Sequence, residues 1–261
     1  MADLVPRIQQ AYFRNGPAHR SGADVSFLDI VKIFGFQSIK IGRWVTASEQ
    51  QLAANLFFDA LSDLMLLLQV PERVISMNQS LSLHFGIGGQ QGSCAFYQPQ
   101  GRLLALAKNA GGGSLAHEWF HAFDHYICSK LFSDELPASA FASSSWLNNA
   151  KVSPHPLNQY LEQSFAALFL TANGSEPNHY VKTSAAFDQQ HGIYYYAKPE
   201  ELAARAFEHM LQQQQLKNSF LVSGTLKSKA SKAGLYPDSA LSSVLAQHWL
   251  GYFSLLGRAL R

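Results

Sequence analysis

The sequence predicts an α+β fold: a backing helix, a small mixed sheet, a helix bearing paired histidines and a helical C-terminal lobe. Three observations lead to it. Apolar residues recur at helical spacing from Ala47 to Val70. Short apolar runs bounded by Gly, Pro and Asn cluster between Val74 and Lys108. Beyond Leu157, amphipathic stretches alternate with polar connections.

Taken in order, Phe27 to Val45 mixes β-branched and aromatic residues and reads as a short helix followed by a strand. From Ala47 on, Leu52, Leu56, Phe57, Ala60, Leu61, Leu64, Leu67 and Leu68 recur at helical spacing. Thr46 or Ser48 caps that helix and Pro71 closes it. Val74 to Met77, Leu81 to Phe85 and Ser93 to Tyr97 read as short strands, with the flexible GIGGQQG between the last two. Gln98 to Gly101 is a turn. Arg102 to Lys108 is another strand, expected at an edge where an extended peptide can pair with it. After the NAGGG break, Ser114 caps a helix from Leu115 to Leu131.

The stretch 133–156, rich in Ser, Ala, Asn and Pro, reads as a linker between a subdomain at 1–132 and a helical lobe at 157–261. Within the lobe, helices are expected from about Leu157 to Thr171 and from Pro199 to Gln215, with Pro199 suited to a first turn. Lys217 to Gly234 reads as a solvated basic loop, and Pro237, Asp238 and Ser239 introduce a last amphipathic helix.

A formal net charge of +2 is too small to imply a nucleic-acid or anionic-membrane partner. Cys94 and Cys128 form neither a disulfide framework nor a thiolate metal cluster. The opening MADLVPRIQQAYFRNG lacks the apolar core of a secretory signal, and no apolar run reads as a membrane span. A cytoplasmic protein without nucleic-acid or membrane partners is expected. Neither glycine-rich stretch matches a phosphate-binding loop, so nucleotide binding is set aside.

The chemistry concentrates in His117-Glu118-Trp119-Phe120-His121. A helix turns about 100° per residue, so residues four apart lie about 40° apart on one face. Both imidazoles then reach one tetrahedral zinc ion. Glu118 points beside the metal, where it can move a proton between water and a leaving group. Apolar Leu115, Trp119, Phe120 and Phe123 supply the helical context; without a metal, the same pair would be two core histidines.

A catalytic zinc takes a third protein ligand and leaves a position for water. Glu200, Glu201 and Glu208 lie on the helix expected from Pro199. Glu200 suits a cap that complements the helix dipole, whereas Glu201 is in register with Ala204, Phe207 and Leu211 and is favoured as the ligand. Asp124 shares the ligand face three residues beyond His121, as an acceptor behind a ligand imidazole or a direct ligand. A phenol of the run Tyr194-Tyr195-Tyr196 can donate to an oxyanion.

HEWFHAFDHY followed by YYYAKPEELAARAFEHM resembles the gluzincin type of metallopeptidase domain. That resemblance implies a zincin-like fold, Glu201 as the third zinc ligand and Tyr194 as a catalytic-site tyrosine. FGFQSIKIGRWVT, QLAANLFFDALSDLMLLL, VISMNQSLSLHFGIGG and AFYQPQGRLLALAKNAGGGSLAHEWFHAFDHY extend it over Phe27 to Gln215. Together they are similar to the large polyvalent protein-associated domain of phage and mobile-element proteins, and to a stand-alone bacterial group labelled the CLCA_X family. The expectation is therefore a zinc-dependent peptidase acting on a peptide or protein substrate. The alternative is a non-catalytic zinc-containing binding module of phage or mobile-element biology.

Overall fold

The computed structural model describes residues 7–87, 95–108 and 112–261. Most of GIGGQQG, the Ser93-Cys94 start of an expected strand and residues 109–111 of NAGGG lie outside them. In chain order the elements are α1 (Phe27–Phe34), β1 (Ser38–Ile41), α2 (Ala47–Leu68), α3 (Glu72–Ile75), β2 (Ser82–Phe85), β3 (Ala95–Gln98) and β4 (Leu103–Leu106). There follow α4 (Leu115–Leu131), α5 (Ala142–Leu147), α6 (Pro156–Phe169), α7 (His179–His191), α8 (Pro199–Gln213), α9 (Lys229–Lys232) and α10 (Ser239–Ala259). The fold class is α+β. The chain forms two compact units, Met1–Ala122 with Gln214–Ser223, and Phe123–Gln213 with Gly224–Arg261.

In the first unit, α2 is the backing helix. A capping box starts it: Thr46 Oγ1 accepts the Glu49 N–H at 3.3 Å, and Glu49 Oε2 accepts the Thr46 N–H at 2.9 Å. Its inner face carries Phe57, Ala60, Leu61 and Leu64, all at most 1% exposed. Phe57 is the hub of the aromatic core, with ring centroids 5.6 Å from Phe27 of α1, 5.7 Å from Phe85 of β2 and 5.1 Å from Phe220. Edge-to-face contacts of this kind add to the burial of large rings. Among the described residues α2 is the helix long and apolar enough to cross a membrane, at a mean hydropathy of 1.4, with half of that window buried. Glu49, Asp59 and Asp63 interrupt its apolar residues, so no continuous apolar run of that length stands in the sequence.

The four strands run in the order β1-β2-β4-β3, with β1, β2 and β4 parallel and β3 antiparallel to β4. The expected edge position of Arg102 to Lys108 is thus corrected: β4 has a partner on each side, and β1 and β3 form the edges. Its sequence explains the place. Leu104, Ala105 and Leu106 are each 1% exposed, and a strand buried on both faces is a continuous apolar run.

The expected strand at Val74 to Met77 is also corrected. Pro71 precedes α3 in an extended conformation, and Glu72 occupies its first turn. Met77, Asn78 and Gln79 then take positive φ values of 52°, 54° and 66°, which turn the chain into β2.

In the second unit, α6 and α10 pack along one another. Gly251 permits the approach, since a Cβ there would stand 2.9 Å from Tyr160 Cε1. Asp238 caps α10 through the Leu241 N–H at 2.8 Å. Phe123, on the second half of α4, packs against Phe253 at 4.8 Å, and Phe207 of α8 against Trp249 at 5.7 Å. The segment 133–156 contains α5, and α7 occupies much of the stretch expected as a polar connection between the helices at 157 and 199.

Candidate metal centre

The helix that bears the paired histidines is anchored at its entry. The Gly113 N–H donates to Phe220 O at 2.8 Å, the Ala116 N–H to Leu221 O at 2.9 Å, and the Ser223 N–H to Gly113 O at 3.0 Å. Gly113 has φ +93°, and a Cβ on it would stand 2.0 Å from Ser223 Oγ. Only glycine lets these two segments close. The Glu118 N–H then donates to Ser114 O at 3.2 Å, closing the first turn of α4. Trp119, fully buried, donates its indole N–H to Ile75 O at 2.9 Å and fixes the rotation of the helix.

This rotation sets His117 and His121 side by side. Their ring centroids are 4.7 Å apart, and their Nε2 atoms are 3.1 Å apart. Two nitrogens on one tetrahedral zinc, each about 2.0–2.1 Å from it, stand about 3.3 Å apart. The pair therefore fits a single ion, and the same spacing allows one ring to donate to the other. His117 is half-buried, while His121 and Glu118 are 7% and 8% exposed.

Further along α4, Asp124 is 1% exposed and accepts the Ser143 N–H at 2.8 Å and the Ser143 hydroxyl at 2.5 Å. It thereby holds the first turn of α5, a task its sequence position did not suggest. His125 lies 2.7 Å, through Nε2, from the Ala138 carbonyl that accepts from it. Cys128 is buried, with its thiol 3.4 Å from Ser145 Oγ. Burial pushes that thiol above its ordinary pKa, which suits a packing residue rather than a nucleophile.

On α8, Glu200 and Glu201 share the first turn, both half-buried. Every residue from Leu202 to Leu211 is buried, so helical register alone does not separate the two acids. Glu200 Oε2 accepts the Ser144 hydroxyl at 3.1 Å. Before α8 comes the tyrosine turn. Tyr194 and Tyr195 are 68% and 43% exposed, and Tyr196 is half-buried against Phe187 with centroids 5.0 Å apart. Asp188 and Arg205, both 3% exposed, bind the backbone of this turn. Sequence reasoning missed them, since they address main-chain groups that carry no residue signature.

Residues 187–260 match the model of the large polyvalent protein-associated domain 1. The match takes in the tyrosine turn, α8 and α10, including Tyr194 and Glu201. The resemblance read along Phe27 to Gln215 overlaps this match over 187–215, and His117 to His121 lie upstream of it. No curated protein and no solved structure matches the chain.

Proposed function

We propose that this chain is a zinc-dependent hydrolase of peptide bonds with a zincin-like site. His117, His121 and Glu201 are its metal ligands, Glu118 its general base and Tyr194 its oxyanion donor. The observation that carries this reading is the pair of Nε2 atoms 3.1 Å apart with Glu118 one residue along the same anchored helix. Two imidazoles and a carboxylate are the donor set of a catalytic zinc, which lowers the pKa of a coordinated water to about 7.

Each residue then has one task. Glu118 accepts the proton of the attacking water and delivers it to the departing amine. Because its carboxylate follows His117 by a single residue, it stands beside the ligand face and not on it. The Tyr194 hydroxyl donates to the oxygen on which negative charge develops. Asp124, three residues beyond His121 on α4, is the proposed outer acceptor, and its two bonds to Ser143 hold its carboxylate in place.

The test is metal content. Purified protein is expected to hold one zinc per chain, and His117→Ala and His121→Ala to lose it. Glu201→Gln should weaken zinc binding by more than about a hundredfold, because losing a ligand exceeds the 10–100-fold cost of losing an outer partner. Glu200→Gln should bind as wild type does, since the Glu200 carboxylate serves Ser144. Titration with zinc under competition from a chelator reads all four. A wild-type chain that stays empty in added zinc ends the proposal, and the reverse order of the two glutamate variants moves the third ligand to Glu200.

A further inference from the structure

We propose that Asp188 is a positioning residue, which locks the backbone of the Tyr194 turn and so holds the Tyr194 hydroxyl in place for the proposed reaction. The role in cleavage rests on the hydrolase reading above; the locking of the turn does not. Asp188 lies in the last turn of α7, where the helix dipole disfavours a carboxylate, and it is 3% exposed. A buried carboxylate in that place needs compensation.

The compensation comes from the turn. Asp188 Oδ2 accepts the N–H groups of Tyr195 at 2.9 Å and Ala197 at 2.8 Å, and Oδ1 accepts that of Tyr196 at 3.1 Å. Its main chain joins in, as Asp188 O accepts the Ile193 N–H at 3.0 Å across Gly192, whose φ is +63°. This closes α7 in a Schellman-like arrangement.

Arg205 completes the lock from the carbonyl side. Its Nη2 donates to Tyr196 O and its Nε to Leu235 O at 3.0 Å, while its Cζ lies 5.0 Å from the Tyr196 ring centroid. Tyr196 is packed between Phe187 at 5.0 Å and Tyr195 at 5.1 Å. The backbone from Tyr195 to Ala197 is thus held by its N–H groups on one side and a carbonyl on the other.

What this rigid turn displays is apolar. Ile193, Tyr194 and Tyr195 are 45%, 68% and 43% exposed in consecutive positions. Fixing the backbone beforehand removes an ordering cost from binding. In the hydrolase the same lock aims the Tyr194 hydroxyl.

The experiment uses the full chain with Asp188→Asn and Asp188→Ala, each with and without Tyr194→Phe. Asn keeps the volume and one acceptor oxygen but turns an NH₂ toward the amides. Hydrogen exchange at residues 195–197 should quicken about tenfold or more in Asp188→Ala, because bonds to a charged acceptor are lost, and less in Asp188→Asn. Exchange in α10 and zinc content should not change. In a peptide-library assay, Asp188→Asn should lower kcat in the wild-type background and cost little more once Tyr194 is Phe.

Unchanged exchange at 195–197 overturns the proposal, as does an equal loss of kcat in both backgrounds, which marks a merely structural role. If Asp188→Ala fails to fold, the Asn variant carries both readouts. If zinc-loaded wild type cleaves no peptide, the hydrolase reading suffers, and the exchange data still decide the lock.

Discussion

Glu118→Gln is expected to keep its zinc and lose peptide cleavage by roughly 10²–10⁴-fold, the range general-base catalysis contributes. The substitution changes a basic oxygen into an amide nitrogen at nearly constant volume. The residue is 8% exposed on the first turn of α4, and that turn is fixed by the Ala116 N–H to Leu221 O and by Trp119 to Ile75 O. His117 and His121 therefore keep their spacing, and metal content should stay at the wild-type level. Measuring zinc and cleavage of an unbiased peptide library on the same preparations separates two cases. Loss of zinc together with activity would make Glu118 a ligand. Full activity in a zinc-loaded Glu118→Gln chain would refute the general-base assignment. A binding module without catalysis predicts a third pattern, in which zinc-loaded wild type holds peptides and cuts none.

The histidine pair was legible because its chemistry is local. Residues four apart on one helix meet whatever the rest of the fold does, and the break, cap and apolar positions around them identify that helix. The long helix at Ala47 was legible for the same reason. Elements whose identity depends on tertiary partners were not. α7 buries Tyr180, Ser184 and Asp188, a helical stripe spaced by four but mostly polar, so apolar periodicity passes over it. β4 and an edge strand read alike until both neighbours are known. Val74 to Met77 looked like a strand because β-branched residues occur there, yet Pro71 and Glu72 start a helix just before them. Asp188 gathers backbone amides seven to nine residues away, and Asp124 holds Ser143 nineteen residues away. Neither partner could be read from residue type.

Asp63→Ala should destabilise the first unit by roughly 3–5 kcal/mol, the usual effect of removing one member of a buried charge network. Asp63 interrupts the apolar face of α2 and is fully buried. Arg14 reaches it through Nε at 2.6 Å and an Nη at 2.7 Å, His19 Nε2 lies at 2.8 Å, and Asn218 donates at 2.8 Å. One carboxylate thus ties an N-terminal segment and the 214–223 segment to the core helix. Without it, the Arg14 guanidinium, with a side chain 19% exposed, loses its counter-charge, and Asn218 loses an acceptor. A loss of that size is a large part of the roughly 5–15 kcal/mol that holds a typical domain together. Urea unfolding measures it, and a change below about 1 kcal/mol would show that water and the remaining partners replace the carboxylate. Gly16 supplies an internal control. A Cβ on it would stand 2.5 Å from Asp63 Oδ1, so Gly16→Ala should destabilise the wild type and cost much less once Asp63 is Ala. That non-additivity is the signature of direct contact between the two positions, and additive losses would mean that the N-terminal segment is held by something other than Asp63.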